Sequence, residues 1–258
     1  MHRLVAVIAA VVALTVSSCA GSTSTATGAE QPLPTIGLGS GIGDDGVANA
    51  SATGAADVRT VGSAEIDTLV MVGDSITVAS MPALEDVFAR LGFDNVIIEA
   101  QESKRTADGG QSNPSGVSVA SELVDAIESG EQADWDDDPT DHSNELWVVA
   151  LGTNDIDQYS DEAERAAAID DMLDAVPAES ILIWVDTYIR DRENGTAEIN
   201  DAIIDRVGAR GNSVIARWSA VAGDEGNLRT DGVHPRDQGS IVFADTVANT
   251  IVNVLQLG

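Results

Sequence analysis

The chain has 258 residues, of which 43% are hydrophobic and 22% are charged, a balance typical of globular proteins and not of disordered chains. It carries 43 acidic residues against 13 lysine and arginine residues, a formal net charge of -30. This excess excludes nucleic acid as a general partner, because phosphate binding requires a basic surface. The single cysteine excludes an internal disulfide and a cysteine-cluster metal site.

The first 18 residues have the pattern of an export signal. Arg3 precedes an apolar run at 4–16, which is shorter than the roughly 20 residues needed to cross a bilayer. The sequence SSCA at 17–20 places the single cysteine after small residues, and it resembles the lipobox of bacterial lipoproteins. The resemblance implies a signal peptide over 1–18 and a lipid anchor at Cys19 on the outer face of the cytoplasmic membrane. A plain signal peptide with an incidental cysteine is the alternative.

The next segment separates this signal from the rest of the chain. Residues 20–63 are rich in glycine, serine, threonine and alanine, and they show neither helical nor strand periodicity. This composition predicts a flexible tether, so that 19–63 comprises the lipidated cysteine and its tether. Residues 64–258 then have the usual size of one domain.

Short apolar runs alternate with longer amphipathic stretches along this domain. The runs predict strands at 68–72, 95–99, 146–151, 181–185 and 214–218. The stretches between and after them predict helices at roughly 76–91, 115–129, 160–175, 194–209 and 237–255, with Ser115, Ser160 and Asp237 as candidate caps. Such alternation predicts a parallel sheet with right-handed crossovers and helices on both faces.

Two motifs follow the first and third predicted strands, where ligands bind in sheets of this kind. GDS at 73–75 places Ser75 at the start of a helix, where free N–H groups and the helix dipole favour developing negative charge. An ordinary N-cap serine is the alternative. GTND at 152–155 presents Asn154, whose carboxamide is able to donate a hydrogen bond to an oxyanion or simply to stabilise a turn.

A third motif, DGVHP at 231–235, supplies a histidine. His2 leaves with the signal peptide, so His142 and His234 are the candidates for a base at neutral pH. Asp231, three residues before His234, is placed to fix the imidazole tautomer and to stabilise the imidazolium. A loop histidine beside a turn aspartate is the alternative interpretation.

Taken together, in this order and placement, the three motifs resemble the SGNH (GDSL-like) hydrolases over 64–258. The resemblance implies an α/β fold, a flavodoxin-like three-layer sandwich around a five-stranded parallel sheet of order 2-1-3-4-5. It also implies a serine esterase that requires no metal and no organic cofactor. In that family pattern Ser75 is the nucleophile, His234 the general base and Asp231 its orienting acid, and the Ser75 N–H and Asn154 donate to the oxyanion.

The family's second block normally contributes a glycine N–H to the oxyanion hole, and here the sequence departs from it. The loop after the second strand has Ser103 where a glycine is expected, followed by Lys104 and Arg105. Because the chemistry needs only a backbone N–H, Ser103 is the expected donor, with Lys104, Gly109 and Gly110 as the competing assignments. Some cell-wall O-acetyltransferases of the family also lack this glycine, which keeps acyl transfer open.

Further residues near the motifs are candidates for the substrate pocket: Asp74, Arg105, Gly110, Asp155 and Tyr188. Arg105 either contacts an anionic acyl group or braces its loop. The acidic run at 134–141 lacks the spacing of an EF-hand and is interpreted as a solvated loop in preference to a calcium site.

The sequence therefore predicts a lipid-anchored, extracytoplasmic serine esterase. Its expected substrates are O-acyl esters of envelope glycans or small lipidic esters, and its expected partners are that substrate and the membrane. Two alternatives remain: acyl transfer to a carbohydrate hydroxyl, and a non-catalytic lipoprotein that binds a ligand in the same crevice.

Overall fold

The computed structural model describes residues 66–130 and 138–255. The predicted signal peptide, Cys19 and the tether over 19–63 lie outside the described residues, as does the first half of the acidic run at 134–141. Among the described residues, no helix is long and apolar enough to cross a membrane.

The described chain alternates strands and helices as the sequence predicts. The strands are β1 (Thr68–Gly73), β2 (Asn95–Ala100), β3 (Glu145–Ala150), β4 (Ile181–Val185) and β5 (Ser213–Ala216). The helices are α1 (Ser75–Leu91), α2 (Gly116–Glu128), α3 (Glu162–Ala175), α4 (Glu193–Arg210), α5 (Ser219–Ala222) and α6 (Asp237–Leu255). Single turns of 3-10 helix precede and follow β3 at His142–Asn144 and Thr153–Asp155.

The five strands form one sheet in the order β2-β1-β3-β4-β5, and every neighbouring pair is parallel. This confirms the predicted fold class and strand order. From β1 the chain passes to β2 on one side and then crosses back to β3 on the other side, so the sheet has its switch point between β1 and β3. The loops that leave these two strands open a crevice at their carboxyl ends, which is where ligands bind in such sheets.

Two apolar layers cover the sheet, and alternation along β1 assigns its side chains to them. Leu69 and Met71 belong to the core under α1, α5 and α6, whereas Val70 and Val72 belong to the core under α2, α3 and α4. All four side chains are fully buried. A strand buried on both faces has no polar alternation, which is why β1 appears in the sequence as a continuous apolar run.

The structure moves several predicted boundaries. Ser115 caps α2 as expected, but α3 is capped by Asp161, whose carboxylate accepts from the Glu164 N–H at 3.0 Å, and not by Ser160. Asp237 is the first residue of α6, inside the helix. β5 ends at Ala216, so Trp218 is a buried residue leading into α5 and not a strand residue.

Candidate active site

Ser75 is the first residue of α1 and follows a sharp turn at the end of β1. The preceding residue, Asp74, is the N-cap, and its carboxylate accepts from the Ile76 N–H at 2.9 Å. A Cβ atom on Gly73 would lie 2.1 Å from the Thr77 hydroxyl oxygen, so the turn admits no side chain there. The turn thus places the partly buried Ser75 hydroxyl at the carboxyl edge of the sheet and at the amino end of a 17-residue helix.

The loop before α6 presents His234 with its carboxylate already in place. One oxygen of Asp231 accepts from the backbone N–H groups of Val233 and His234, at 2.9 and 3.0 Å. The other oxygen lies 3.1 Å from His234 Nδ1. The two backbone N–H groups and the adjacent imidazole lower the pKa of Asp231 to about 2, so its carboxylate stays ionised at neutral pH.

The imidazole joins the serine to the aspartate. His234 Nε2 lies 3.0 Å from Ser75 Oγ, across 159 positions of sequence. Three side chains predicted from two separate motifs therefore form one hydrogen-bonded chain, from the Ser75 hydroxyl through His234 to Asp231. This is the arrangement in which an imidazole removes a hydroxyl proton and a carboxylate stabilises the resulting imidazolium.

Asn154 lies beside this chain, in the turn after β3. Its carboxamide nitrogen donates to the Lys104 carbonyl at 3.0 Å and makes a longer contact of 3.3 Å to the Asp74 carboxylate. These bonds fix the amide between the loops that follow β1 and β2. Asn154 and Ser75 line the same cavity.

Asp74 is a buried carboxyl group directly beneath this arrangement. It is only 1% exposed, and burial raises its pKa to about 7, although the Ile76 N–H and the Thr153 hydroxyl stabilise the ionised form. Near neutral pH it is therefore divided between its neutral and ionised forms, next to the amide of Asn154.

The second-block loop places Ser103, and not the competing glycines, at the cavity. Ser103 has a φ of 60°, the left-handed conformation that glycine adopts most easily, and it lines the cavity together with Ser75 and Asn154. Gly109 instead packs against the N-terminus of α2, where an added Cβ would lie 2.3 Å from the Ser115 nitrogen. Gly110 pairs with Asn113 in an isolated bridge.

Lys104, the only lysine of the chain, holds this loop from below. The residue is only 2% exposed, and its ammonium donates to the Pro114 carbonyl at 3.1 Å. Burial lowers the pKa of Lys104, while Glu99 and Glu122 oppose that shift. The sequence offered no signal for this role, because it depends on where the loop folds back at Pro114.

Asp155 ties the second-block loop to β3. It is 1% exposed, and its oxygens accept from the Thr106 N–H at 2.9 Å, the Thr106 hydroxyl at 2.7 Å, Arg105 Nε at 3.2 Å and the Tyr159 hydroxyl at 2.9 Å. The Arg105 guanidinium also pairs with Asp108 and lies over the Tyr159 ring. Of the two roles considered for Arg105, these contacts correspond to bracing the loop.

The cavity at Ser75 has a volume of about 450 Å³ and opens to solvent. Its lining residues are Ser75, Val78, Ala79, Glu102, Ser103, Asn154, Arg229, Val233 and His234. The side chains suggested from the sequence for this pocket are not among them, because each is held elsewhere. Asp74 and Asp155 are buried below, Arg105 is bound to Asp155, and Gly110 pairs with Asn113. Tyr188 packs beside Gly223 and against the core.

The other histidine of the domain is remote from this cavity. His142 lies in the turn before β3, at the amino end of the strand, and its Nδ1 is 2.9 Å from Glu145 Oε1. Burial disfavours its charged form, but hydrogen bonds and charges of Glu145 and Glu128 outweigh burial and raise its pKa. His142 is therefore a structural histidine. Within residues 66–130 and 138–255, no group of three potential ligands has the arrangement of a metal site.

Comparison with known proteins places the fold among characterised structures. No family model matches the chain, and no curated protein matches it by sequence. Three solved structures share its fold. The C-terminal catalytic domain of peptidoglycan O-acetyltransferase A from Streptococcus pneumoniae has a TM-score of 0.51 at 20% identity, over 74% of this chain and 94% of that one. A lipolytic protein of the G-D-S-L family from Veillonella parvula has a TM-score of 0.52 at 14% identity, over 72% and 98%.

The third is the psychrotrophic esterase EstA of Pseudoalteromonas sp., with a TM-score of 0.50 at 14% identity, over 74% of this chain and 99% of that one. At these identities the likeness is one of fold, and it covers nearly the whole of each solved domain. The described domain therefore shares the fold of these three structures, and its parallel sheet of order β2-β1-β3-β4-β5 is the one that the sequence predicts.

Proposed function

We propose that the chain is an extracytoplasmic serine esterase that hydrolyses O-acyl esters through Ser75, His234 and Asp231. The observation that carries the proposal is the continuous chain of short contacts, 3.0 Å from Ser75 Oγ to His234 Nε2 and 3.1 Å from His234 Nδ1 to Asp231. If Ser75 were only an N-cap and His234 only a loop residue, nothing would require the two side chains to be in contact. The alternative interpretations therefore leave the contact between Ser75 and His234 unexplained.

In the proposed reaction, Ser75 Oγ attacks the ester carbonyl while His234 Nε2 accepts its proton. Asp231 holds Nδ1 as the donor and stabilises the imidazolium, and its low pKa keeps it charged throughout. The imidazolium then returns the proton to the departing alcohol, leaving an acyl group on Ser75. Water, activated by the same imidazole, attacks the acyl-enzyme and releases the acid.

Three donors are proposed to hold the oxyanion: the N–H groups of Ser75 and Ser103, and the Asn154 amide. The Asn154 nitrogen already contacts Lys104 O at 3.0 Å and Asp74 at 3.3 Å. We propose that the amide hydrogen now directed at Asp74 turns to the oxyanion. Its contact is the longer of the two, so breaking it costs less free energy than breaking the bond to Lys104 O. Loss of one such donor lowers the rate by about 10²–10³-fold in enzymes of this chemistry.

Hydrolysis is proposed over acyl transfer because the acceptor side of the site is open to water. The cavity opens to solvent, and 35% of the His234 side chain is exposed. Transfer to a sugar hydroxyl predicts that a carbohydrate acceptor accelerates release of the leaving group and takes up the acyl group. A location outside the cytoplasmic membrane favours O-acylated envelope glycans or small lipidic esters as substrates.

The test is intact-mass analysis after exposure to a fluorophosphonate, chosen because the Pseudoalteromonas esterase was solved inhibited by monoethylphosphonate. We expect one adduct on the wild-type protein and none on Ser75→Ala. Ser121→Ala, which alters an exposed hydroxyl on α2, is the matched control and keeps the adduct. A folded wild-type protein that gains no adduct would remove both esterase and transferase, and the ligand-binding lipoprotein would replace them.

The anchor is a separate proposal, supported by the sequence around Cys19. We propose that cleavage after Ser18 leaves Cys19 as the lipid-bearing N-terminus and that the tether carries the domain away from the membrane. Cys19→Ser is expected to move the protein from the membrane fraction to the soluble fraction while leaving fluorophosphonate labelling intact.

A further inference from the structure

One cationic side chain lines the cavity at Ser75 without belonging to the proposed catalytic group. Arg229 lies in the loop before α6, on the strand-like segment where Leu228 pairs with Pro235. Its backbone N–H donates to the His234 carbonyl at 2.8 Å, and its carbonyl accepts from the Gly232 N–H at 3.1 Å. Arg229 is therefore fixed to the same turn that positions the imidazole.

The guanidinium of Arg229 is only partly used by the protein. Its Nε donates to the Pro235 carbonyl at 3.0 Å, which orients the group. Within residues 66–130 and 138–255, neither terminal nitrogen makes a hydrogen bond to the protein, and no ion pair includes Arg229. The terminal nitrogens carry four of the five N–H donors of an arginine, and together they can bind a carboxylate or phosphate end-on through two hydrogen bonds.

The guanidinium of Arg229, unpaired within the described residues, differs from those of most other arginines of this acidic chain. Acidic residues outnumber lysine and arginine 43 to 13, and most of the described arginines form an ion pair with a carboxylate. Arginines that pair in this way are Arg90, Arg105, Arg165, Arg192, Arg206 and Arg217. Glu102 lines the same cavity as Arg229, yet the two form no ion pair. Among the described residues, Arg229 thus presents an unpaired positive charge in the cavity that contains Ser75 and His234. Such a charge can bind an anionic group of the substrate.

We propose that Arg229 determines specificity by binding a carboxylate or phosphate carried by the ester substrate close to the scissile bond. The inference rests on the proposed function and narrows its substrate class to anionic esters. The anion belongs either to the acyl group or to the alcohol, and both place a charge within reach of a guanidinium in the Ser75 cavity. Glu102 and the net charge of -30 oppose a general attraction for anions, so the recognition is confined to the arginine side of the cavity.

The test compares charged and neutral esters in two pairs, one that shares the leaving group and one that shares the acyl group. For the acyl side, the substrates are mono-4-nitrophenyl succinate and 4-nitrophenyl butyrate. For the alcohol side, they are 4-acetoxybenzoate and its methyl ester. We expect Arg229→Gln to lower kcat/KM for one of the anionic esters about tenfold, as for a lost charge-assisted hydrogen bond, and to change the neutral esters less than about threefold. Whichever anionic ester responds identifies the side that carries the charge.

Two variants separate recognition from support of the loop. Arg229→Lys keeps the charge but loses the planar fork, and we expect it to retain part of the preference. Arg190→Gln removes the same charge from an exposed arginine that packs beside Gly232 but does not line the cavity, and we expect the preference to be unchanged. The preference should also weaken in about 1 M salt, where charges are screened within about 3 Å.

Each other outcome overturns the inference. An equal loss for neutral and anionic esters in Arg229→Gln would mean that the arginine only supports the His234 loop. Equal losses in Arg190→Gln and Arg229→Gln would mean that net charge, and not position, is responsible. A preference for choline esters over neutral ones would assign recognition to Glu102. Failure of the wild-type protein to hydrolyse any of the four esters, anionic or neutral, would instead remove the proposed function.

Discussion

The contact between Asp155 and the second-block loop offers the sharpest test of how the site is held together. Asp155→Asn replaces one carboxylate oxygen with an amide nitrogen, which cannot accept a hydrogen bond. Depending on the side that changes, the variant loses either the two bonds from Thr106 or those from Arg105 and Tyr159. In both cases the Arg105 guanidinium loses its buried counter-charge.

The expected cost follows from these contacts. Each lost bond to a buried carboxylate costs about 1–3 kcal/mol, and the loss of one partner of a buried ion pair costs about 3–5 kcal/mol in total. We therefore expect Asp155→Asn to lower the free energy of unfolding by about 3–5 kcal/mol. Because Ser103 lies on the loop that Asp155 anchors, we also expect kcat for 4-nitrophenyl acetate to fall by up to about 10²–10³-fold, as for a lost oxyanion donor.

The measurement is urea unfolding beside a matched control. Asp157→Asn makes the same chemical change two residues away, where the carboxylate is 48% exposed and pairs with Arg192, which is more exposed still. A surface pair contributes at most about 1 kcal/mol, so the control should unfold close to wild type. Equal stabilities for the two variants, or a destabilised Asp155→Asn with unaltered kcat, would refute the anchoring role.

Three further predictions concern the reacting groups. Asp231→Asn should lower kcat by about 10²–10⁴-fold, because the amide does not stabilise the imidazolium. Labelling of Ser75 by the fluorophosphonate should slow in parallel. Unchanged kinetics would exclude Asp231 as the orienting acid. The Asp74 pKa of about 7 lies above the unfolded value of about 3.9, so the contribution of this carboxyl group to stability should be complete below about pH 4 and should be lost, by up to about 4 kcal/mol, as pH rises to about 7. Asp74→Asn should remove that slope in urea titrations at several pH values. Ser103→Gly should keep kcat within about threefold, since only the N–H is used, and a hundredfold loss would assign a role to the side chain.

The sequence was sufficient to predict a parallel sheet because the three central strands, β1, β3 and β4, are buried on both faces. A run such as 68–72 is apolar without alternation, and each run is followed by a stretch with helical periodicity, so only a parallel sheet accommodates the pattern. The end of β5 was misplaced because an apolar run does not show where pairing stops. Trp218 continues that run, but it is buried against Phe243 of α6, with ring centroids 5.3 Å apart.

The candidate site was predictable only where its members lie close together in the sequence or at the end of a strand. Asp231 and His234 are three residues apart, and Ser75 and Asn154 each follow a strand. The other side chains that line the cavity were not predictable, because the folding of the loops decides which of them reach it. Arg105 was a pocket candidate and is bound to Asp155, 50 residues away, whereas Arg229 gave no signal in the sequence and lies in the cavity.

The positive φ of Ser103 shows what these long-range contacts do for the chemistry. A non-glycine residue in the left-handed region costs about 1–2 kcal/mol, so the loop adopts this conformation only if its neighbours are fixed. The bonds of Asn113 to the Ser103 carbonyl, Lys104 to Pro114 and Thr106 to Asp155 fix Ser103 and the residues that follow it. A glycine would reach the same conformation without strain but would also leave it readily. In the proposed mechanism, the anchored serine holds its N–H at the cavity before substrate arrives, and such preorganisation is what makes an oxyanion donor effective.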